Sequence, residues 1–237
     1  MGNCPKREYM IILDSPARAM TQPQLIIFDC DGVLVDSELL SCRCLCDALA
    51  GCGIEVRLDE VLDRFLGRSM DAVLEYYRNG GRSLPEQFAA DLAAKVRETF
   101  RAALCPIEDI GSVLEGLPIA HCVASSSALD RVALSLSLTG LARHFDGRLY
   151  TAQMVDRGKP APDLFLYAAG KMRADPRHTL VIEDSESGVQ AAKAAGMTVW
   201  GFVGGSHYQM RDGAGTLRDA GADRVFARMA DFWRTEQ

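Results

Sequence analysis

The apolar positions change period twice along the chain. Leu25–Phe28 (LIIF) is a continuous apolar run that stops abruptly at Asp29-Cys30-Asp31-Gly32. Unbroken apolarity suits a strand buried on both faces, and Asp-Gly suits a tight turn at its carboxyl end. From Glu38 to about Cys105 the pattern is helical: ELLSCRCLCDALAGCG, LDEVLDRFLG, SMDAVLEYY and PEQFAADLAAKVRETF follow one another across Gly-rich breaks, with no strand pattern among them. Beyond Pro106 strand-like runs at 119–124, 179–182 and 198–203 alternate with helix-like runs at 128–138, 162–172 and 187–195. Strands separated by helices predict an α/β fold with a doubly wound parallel sheet. The helical stretch is then an insertion after the first strand. Ligands of open α/β sheets bind beyond the carboxyl ends of the strands, where this insertion emerges, so it is placed to act as a lid. The expected organisation is a core of residues 21–38 and 106–237 with a helical cap of residues 39–105.

Residues 1–20 show neither period and are expected to be a disordered extension, with Met20 as a candidate start. Met1-Gly2-Asn3-Cys4 superficially resembles an acylation site, but Lys6 stands where that motif wants Ser or Thr. The 237 residues, 48% hydrophobic, suffice for one sizeable core and a second, smaller lobe. With 26 basic against 32 acidic residues the net charge is -6, and no basic block is present, which argues against capture of nucleic acid or of an anionic membrane. An anionic ligand would have to be met by local positive groups or a metal. No apolar run approaches the roughly 18 residues of a membrane span, and MIIL is too short for a signal-peptide core. A cytoplasmic protein is expected, and its eight cysteines, without a disulfide pattern, read as free thiols. Cys42, Cys44, Cys46 and Cys52 read as packing residues, because a spacing of two on a helix turns neighbours to different faces.

The candidate chemistry collects at predicted strand ends. Asp29 and Asp31 flank a turn bent by Gly32 and can point to one place beyond the strand. A lone Asp-Gly is commonly just a turn; two acids directly after a buried strand are harder to explain that way. Val181-Ile182-Glu183-Asp184-Ser185 repeats the arrangement, against the simpler reading that Asp184 or Ser185 caps the next helix. Four converging acids repel one another unless a hard cation joins them, and oxygen donors suit magnesium better than zinc. Ser125 and Ser126, before a helix, offer a hydroxyl and backbone N–H groups to a phosphate, although Ser-Ser-Ser is also what an ordinary helix cap looks like. Lys159, held between Gly158 and Pro160, has a fixed approach that a solvated lysine lacks. Together these residues describe a phosphoryl-transfer site acting on a small-molecule phosphate ester.

In order and spacing, FDCDGVLVDSE, VASSS, RGKPAPDLF and VIEDSESGVQAAKAAGM resemble the four motifs of the haloacid dehalogenase superfamily, from Leu25 to about Asp231. The resemblance implies a Rossmann-like core with a helical cap and an aspartyl-phosphate formed on Asp29. It further implies Asp31 as general acid and base, Ser125, Ser126 and Lys159 as phosphate ligands, and magnesium held by Asp29, Asp31 (through its backbone carbonyl), Asp184 and, directly or through water, Glu183. Nearby negative charge is expected to raise the Asp31 pKa. Arg68, in Gly67-Arg68-Ser69, falls where a cap loop of the family reaches toward substrate, or is simply an exposed arginine between helices. Asp31 argues against dehalogenation, which needs no leaving-group acid. The cap's single lysine, Lys95, lies in an amphipathic helix and gives little support to phosphonate cleavage. Ser41, where a mutase-type cap histidine is expected, favours hydrolysis over a β-phosphoglucomutase-like reaction. DCDGVLVDSELLSCR and DRFLG resemble the phosphogluconate phosphatase branch, so 6-phosphogluconate or another small sugar phosphate is the expected substrate. A phosphoaccepting signalling domain would be about half this length, without a helical insertion. The oligomeric state is left open.

Overall fold

The computed structural model describes residues 22–210 and 212–232; the expectation for residues 1–20 lies outside them. Six strands form one parallel sheet: β1 (Leu25–Phe28), β2 (Ala120–Ser125), β3 (Leu149–Thr151), β4 (Thr179–Glu183), β5 (Thr198–Phe202) and β6 (Arg224–Phe226), in the order β3-β2-β1-β4-β5-β6. β1 is central, and Phe28 is in register with Val123 on one side and Ile182 on the other. The chain builds outward from β1 through β2 to β3, then returns to lay β4 along the other side of β1. That reversal makes a crevice at the carboxyl ends of β1 and β4, the place where doubly wound sheets bind ligands.

The alternation of side chains along β1 explains its apolar run. Ile26 and Phe28 enter one core layer with Val123, Ile182 and Phe145, while Leu25 and Ile27 enter the other with Ala124, Val181 and Phe165. Both faces of the strand are thus covered, the first by α5 (Ile110–Gly116) and α6 (Leu129–Leu138), the second by α7 (Asp163–Lys171), α8 (Glu186–Ala194) and α9 (Gly213–Asp219). Burying each large aliphatic side chain stabilises by about 1.5–3 kcal/mol.

Between β1 and α5 lie α1 (Glu38–Gly51), α2 (Leu58–Phe65), α3 (Met70–Asn79) and α4 (Phe88–Ala103), which share a separate apolar cluster. In α4 the buried residues Phe88, Leu92, Val96 and Phe100 recur every fourth position, one face of a helix. The two strands of chain that join this lobe to the sheet are paired. Val35 bridges both Asp31 and Pro106, the Asp36 N–H donates to the Cys105 carbonyl (3.0 Å), and the Ile107 N–H donates to the Leu34 carbonyl (3.0 Å). No helix among the described residues is long and apolar enough to cross a membrane.

Most predicted elements stand within a residue or three of their expected bounds; the helix expected from Pro85 begins at Phe88. The short elements α5, β3, α9 and β6 were not expected. β3 and β6 have three residues each, too few to display a period, and are recruited by pairing with β2 and β5.

Candidate active site

The structure brings five of the sequence-predicted residues together at the crevice. The Asp29 N–H donates to the Ile182 carbonyl (2.9 Å), extending the β1–β4 pairing one residue past the strand and fixing where the carboxylate leaves it. The chain then turns, with Leu34 N–H to the Cys30 carbonyl (2.9 Å) and Gly32 N–H to the Val35 carbonyl (2.8 Å). Gly32 has φ +79°, and a Cβ there would stand 1.8 Å from Asp184 Oδ2. Glycine is therefore required both by the backbone and by the carboxylate of β4's loop, which closes onto the turn.

Lys159 reaches into this cluster with a side chain only 2% exposed. Its three donors go to Asp29 Oδ1 (2.5 Å), Glu183 Oε1 (2.6 Å) and the Ala124 carbonyl (3.0 Å). Burial alone would lower its pKa, but the two carboxylates raise it well above the usual lysine value. The second oxygen of Glu183 accepts from the Ser185 N–H (2.8 Å) and hydroxyl (2.9 Å). Ser185 also caps α8, accepting from the Gly188 N–H (3.1 Å), so the capping expectation and the acidic cluster hold at once. Ser125 is buried at the end of β2 and accepts from the Ser127 N–H (3.0 Å); Ser126 beside it is half-buried.

Asp184 is buried, and its Oδ2 carries no hydrogen bond among the described residues, although His207 Nε2 approaches to 3.2 Å. The Tyr208 hydroxyl donates to the Asp184 backbone carbonyl. Burial first, and then Glu183, pushes the Asp184 carboxyl well above the carboxylate range. Asp29 is raised as well, by burial first and by Glu183 and Asp184, against the pull of Lys159. Glu38, at the start of α1, is pushed to about 8 by burial and by the charges of Asp31 and Asp184. The crevice thus gathers more carboxyl groups, Asp29, Asp31, Glu38, Glu183 and Asp184, than its cations Lys159 and Arg131 pair with. Among the described residues no three His, Cys, Asp or Glu side chains converge as a ready metal cluster. An orphaned, buried Asp184 oxygen beside Asp29 and the turn backbone nevertheless fits a hard divalent cation that takes one of its oxygens from the main chain.

Asp31 departs from expectation. Its Oδ1 accepts from Ser37 Oγ (2.6 Å) and Arg131 Nη2 (2.9 Å), and its Oδ2 accepts from Ser127 Oγ (2.6 Å). Burial would raise its pKa, but the Arg131 charge and these hydrogen bonds hold it below the usual value, opposite to the expected rise. Arg131, Ser37, Ser127, His207 and Tyr208 were all missed. A single arginine on an amphipathic helix carries no local signal, and the others acquire meaning only from the folding of distant loops. Arg68 is exposed, and no hydrogen bond from its side chain joins it to the acidic cluster. The backbone beside it does approach the site, since a Cβ on Gly67 would stand 3.0 Å from Ser185 Cβ.

A buried carboxylate at the carboxyl end of β1, a second acid two residues on, a buried lysine and an acidic loop at the carboxyl end of β4 thus meet at one crevice of the sheet. Residues 26–202 match the haloacid dehalogenase-like hydrolase family, and the chain belongs to that family of enzymes. It is 28% identical over 190 residues to 6-phosphogluconate phosphatase of Escherichia coli (strain K12), covering 79% of this chain and 86% of that protein. It is 32% identical over 188 residues to hexitol phosphatase B of the same strain, covering 75% and 84%. A crystal structure of a conserved haloacid dehalogenase-like protein of unknown function from Agrobacterium tumefaciens str. C58 has a TM-score of 0.77 and 34% identity, covering 88% of this chain and 95% of that one.

Proposed function

We propose that the protein is a magnesium-dependent phosphatase that hydrolyses small sugar phosphates, 6-phosphogluconate among them, through an aspartyl-phosphate on Asp29. The carrying observation is the buried contact of Asp29 with Lys159 at the β1–β4 crevice, 2.5 Å long. The names of the curated relatives support the substrate class.

In the first half-reaction an Asp29 carboxylate oxygen attacks phosphorus, a new O–P bond forms, the ester O–P bond breaks, and Asp31, once it has exchanged a donor for a proton of its own, gives that proton to the departing oxygen. In the second, Asp31 takes a proton from water as that water attacks phosphorus, and the bond to Asp29 breaks to release phosphate. Lys159, raised in pKa and rigidly held, remains positive throughout and offsets charge on the transferring group. Ser125, with the backbone N–H groups around Ser126, receives phosphoryl oxygens. Asp29, the Asp31 carbonyl and Asp184 would hold magnesium, which supplies positive charge against the phosphoryl oxygens. Glu183, with both oxygens engaged, is assigned to holding Lys159 rather than to direct metal binding. Helices α1 to α4 act as the cap, and the Gly67-Arg68 loop faces the leaving group.

The test is phosphate release from a panel of sugar phosphates with and without magnesium, comparing the native protein with Asp29→Asn. Magnesium-dependent release that falls by at least about 10³-fold in kcat in the variant supports the reading, that being the scale on which loss of a nucleophile registers. Conversion of β-glucose 1-phosphate to glucose 6-phosphate without release would move the protein to the mutases.

A further inference from the structure

We propose that Arg131 is a positioning residue that ties the seating of the helical lobe to the placement of the Asp31 carboxylate. The inference rests on the assignment of Asp31 as general acid. Arg131 stands in the first turn of α6, on the sheet side of the molecule, yet its guanidinium makes contacts in three directions. Nη2 donates to Asp31 Oδ1 (2.9 Å) and to Ser41 Oγ in α1 (3.1 Å), and the guanidinium carbon lies 5.1 Å from the centre of the Phe100 ring in α4. One side chain of the sheet domain thus touches the acid and two helices of the lobe.

The geometry of the acid gives this contact a consequence. Ser37, Ser127 and Arg131 occupy both oxygens of Asp31 with donors. A carboxyl that is to present its own O–H to a leaving oxygen has to surrender one of them. Ser127 belongs to the β2–α6 loop and Ser37 immediately precedes α1, whereas Arg131 reaches two helices of the lobe at once, α1 and α4. A guanidinium is a planar fork whose hydrogen bonds have fixed directions, so a shift of α1 or α4 by an ångström or two changes how it meets the acid. Movement of the lobe over a substrate is therefore transmitted to Asp31 through Arg131.

The test compares kcat/KM, which covers steps up to formation of the aspartyl-phosphate, for an alkyl (sugar) phosphate and for p-nitrophenyl phosphate. The alkoxide needs a proton to leave; nitrophenolate does not. General acid catalysis is typically worth 10²–10⁴-fold, so Arg131→Gln is expected to cost about 10- to 100-fold on the sugar phosphate and far less on p-nitrophenyl phosphate. Arg131→Lys, which keeps the charge but loses the fork, is expected to show the same selective loss in milder form and guards against a folding defect in the first variant. Ser41→Ala and Phe100→Leu are expected to reproduce part of the selective loss, and to add little to it in the Arg131→Gln background, as coupled residues do. Equal losses on both substrates, or fully additive effects of the lobe variants, would overturn the proposal. Asp31→Asn separates the two levels. If it discriminates between the substrates and Arg131→Gln does not, the role of Arg131 fails alone; if Asp31→Asn does not discriminate, the general-acid assignment fails and takes the proposal with it.

Discussion

Asp184 sets the sharpest expectation at the scale of single residues. Its folded pKa lies above the ordinary carboxylate value of 3.8, through burial first and Glu183 next. A group raised in this way contributes stability that is present below the unfolded value and lost as pH rises through the folded value. The metal-free protein therefore bears a growing cost at this site above about pH 4, where the unfolded chain ionises freely. A bound cation offsets that cost. Magnesium is expected to raise the melting temperature more at pH 8 than at pH 5, reaching about 2.7 kcal/mol of stabilisation at a hundredfold excess over Kd. Asp184→Asn is expected to shrink the shift at both pH values. Calorimetry at the two pH values checks this, and equal shifts in the native protein would refute it.

Local acids were readable from the sequence because their meaning depends on neighbours: Asp29 follows four apolar residues, and Glu183 ends the buried run of β4. The charge state of Asp31 was not readable, because Arg131 lies a hundred positions away and reaches the acid only after the β2–α6 loop folds against the turn.

Among elements, the turn after β1 tolerates little change. Gly32→Ala would place a methyl 1.8 Å from Asp184 Oδ2 in a backbone of φ +79°. It is expected to destabilise by about 1–3 kcal/mol from backbone strain alone, and to abolish turnover by displacing Asp184. Chemical unfolding together with a phosphatase assay measures both; a variant with native stability and activity would contradict the close approach. The long helices and central strands were legible because each repeats its period several times, as α4 does with Phe88, Leu92, Val96 and Phe100. The edge strand β6 was not, since Arg224–Phe226 is three residues long, one of them charged, and becomes a strand only beside β5.

For the whole molecule, the lobe and the sheet have separate apolar clusters, with Leu104 packed against both at the returning crossing. Cysteine exposure tests this arrangement. Cys52 and Cys105 are exposed, while Cys30, Cys42, Cys44 and Cys122 are buried, the Cys122 thiol being pushed up to about 12 by burial. Among the described cysteines, Cys52 and Cys105 are expected to react with a thiol reagent at pH 8 in the native state, and the buried ones only on unfolding. Mass spectrometry of labelled peptides distinguishes them; early labelling of Cys122 would refute the sheet packing.

The paired crossings at Val35 and Pro106 also bear on how such a molecule can diversify. Because the lobe enters and leaves at adjacent points, it behaves as a cassette plugged into one socket, and insertions of that kind leave the host domain's register intact. The socket is the turn that carries Asp31, so one lobe exchanged for another would meet the same Asp29 and the same Lys159. What the lobe admits can then drift, residue by residue, while the residues at the strand ends of the sheet stay unchanged.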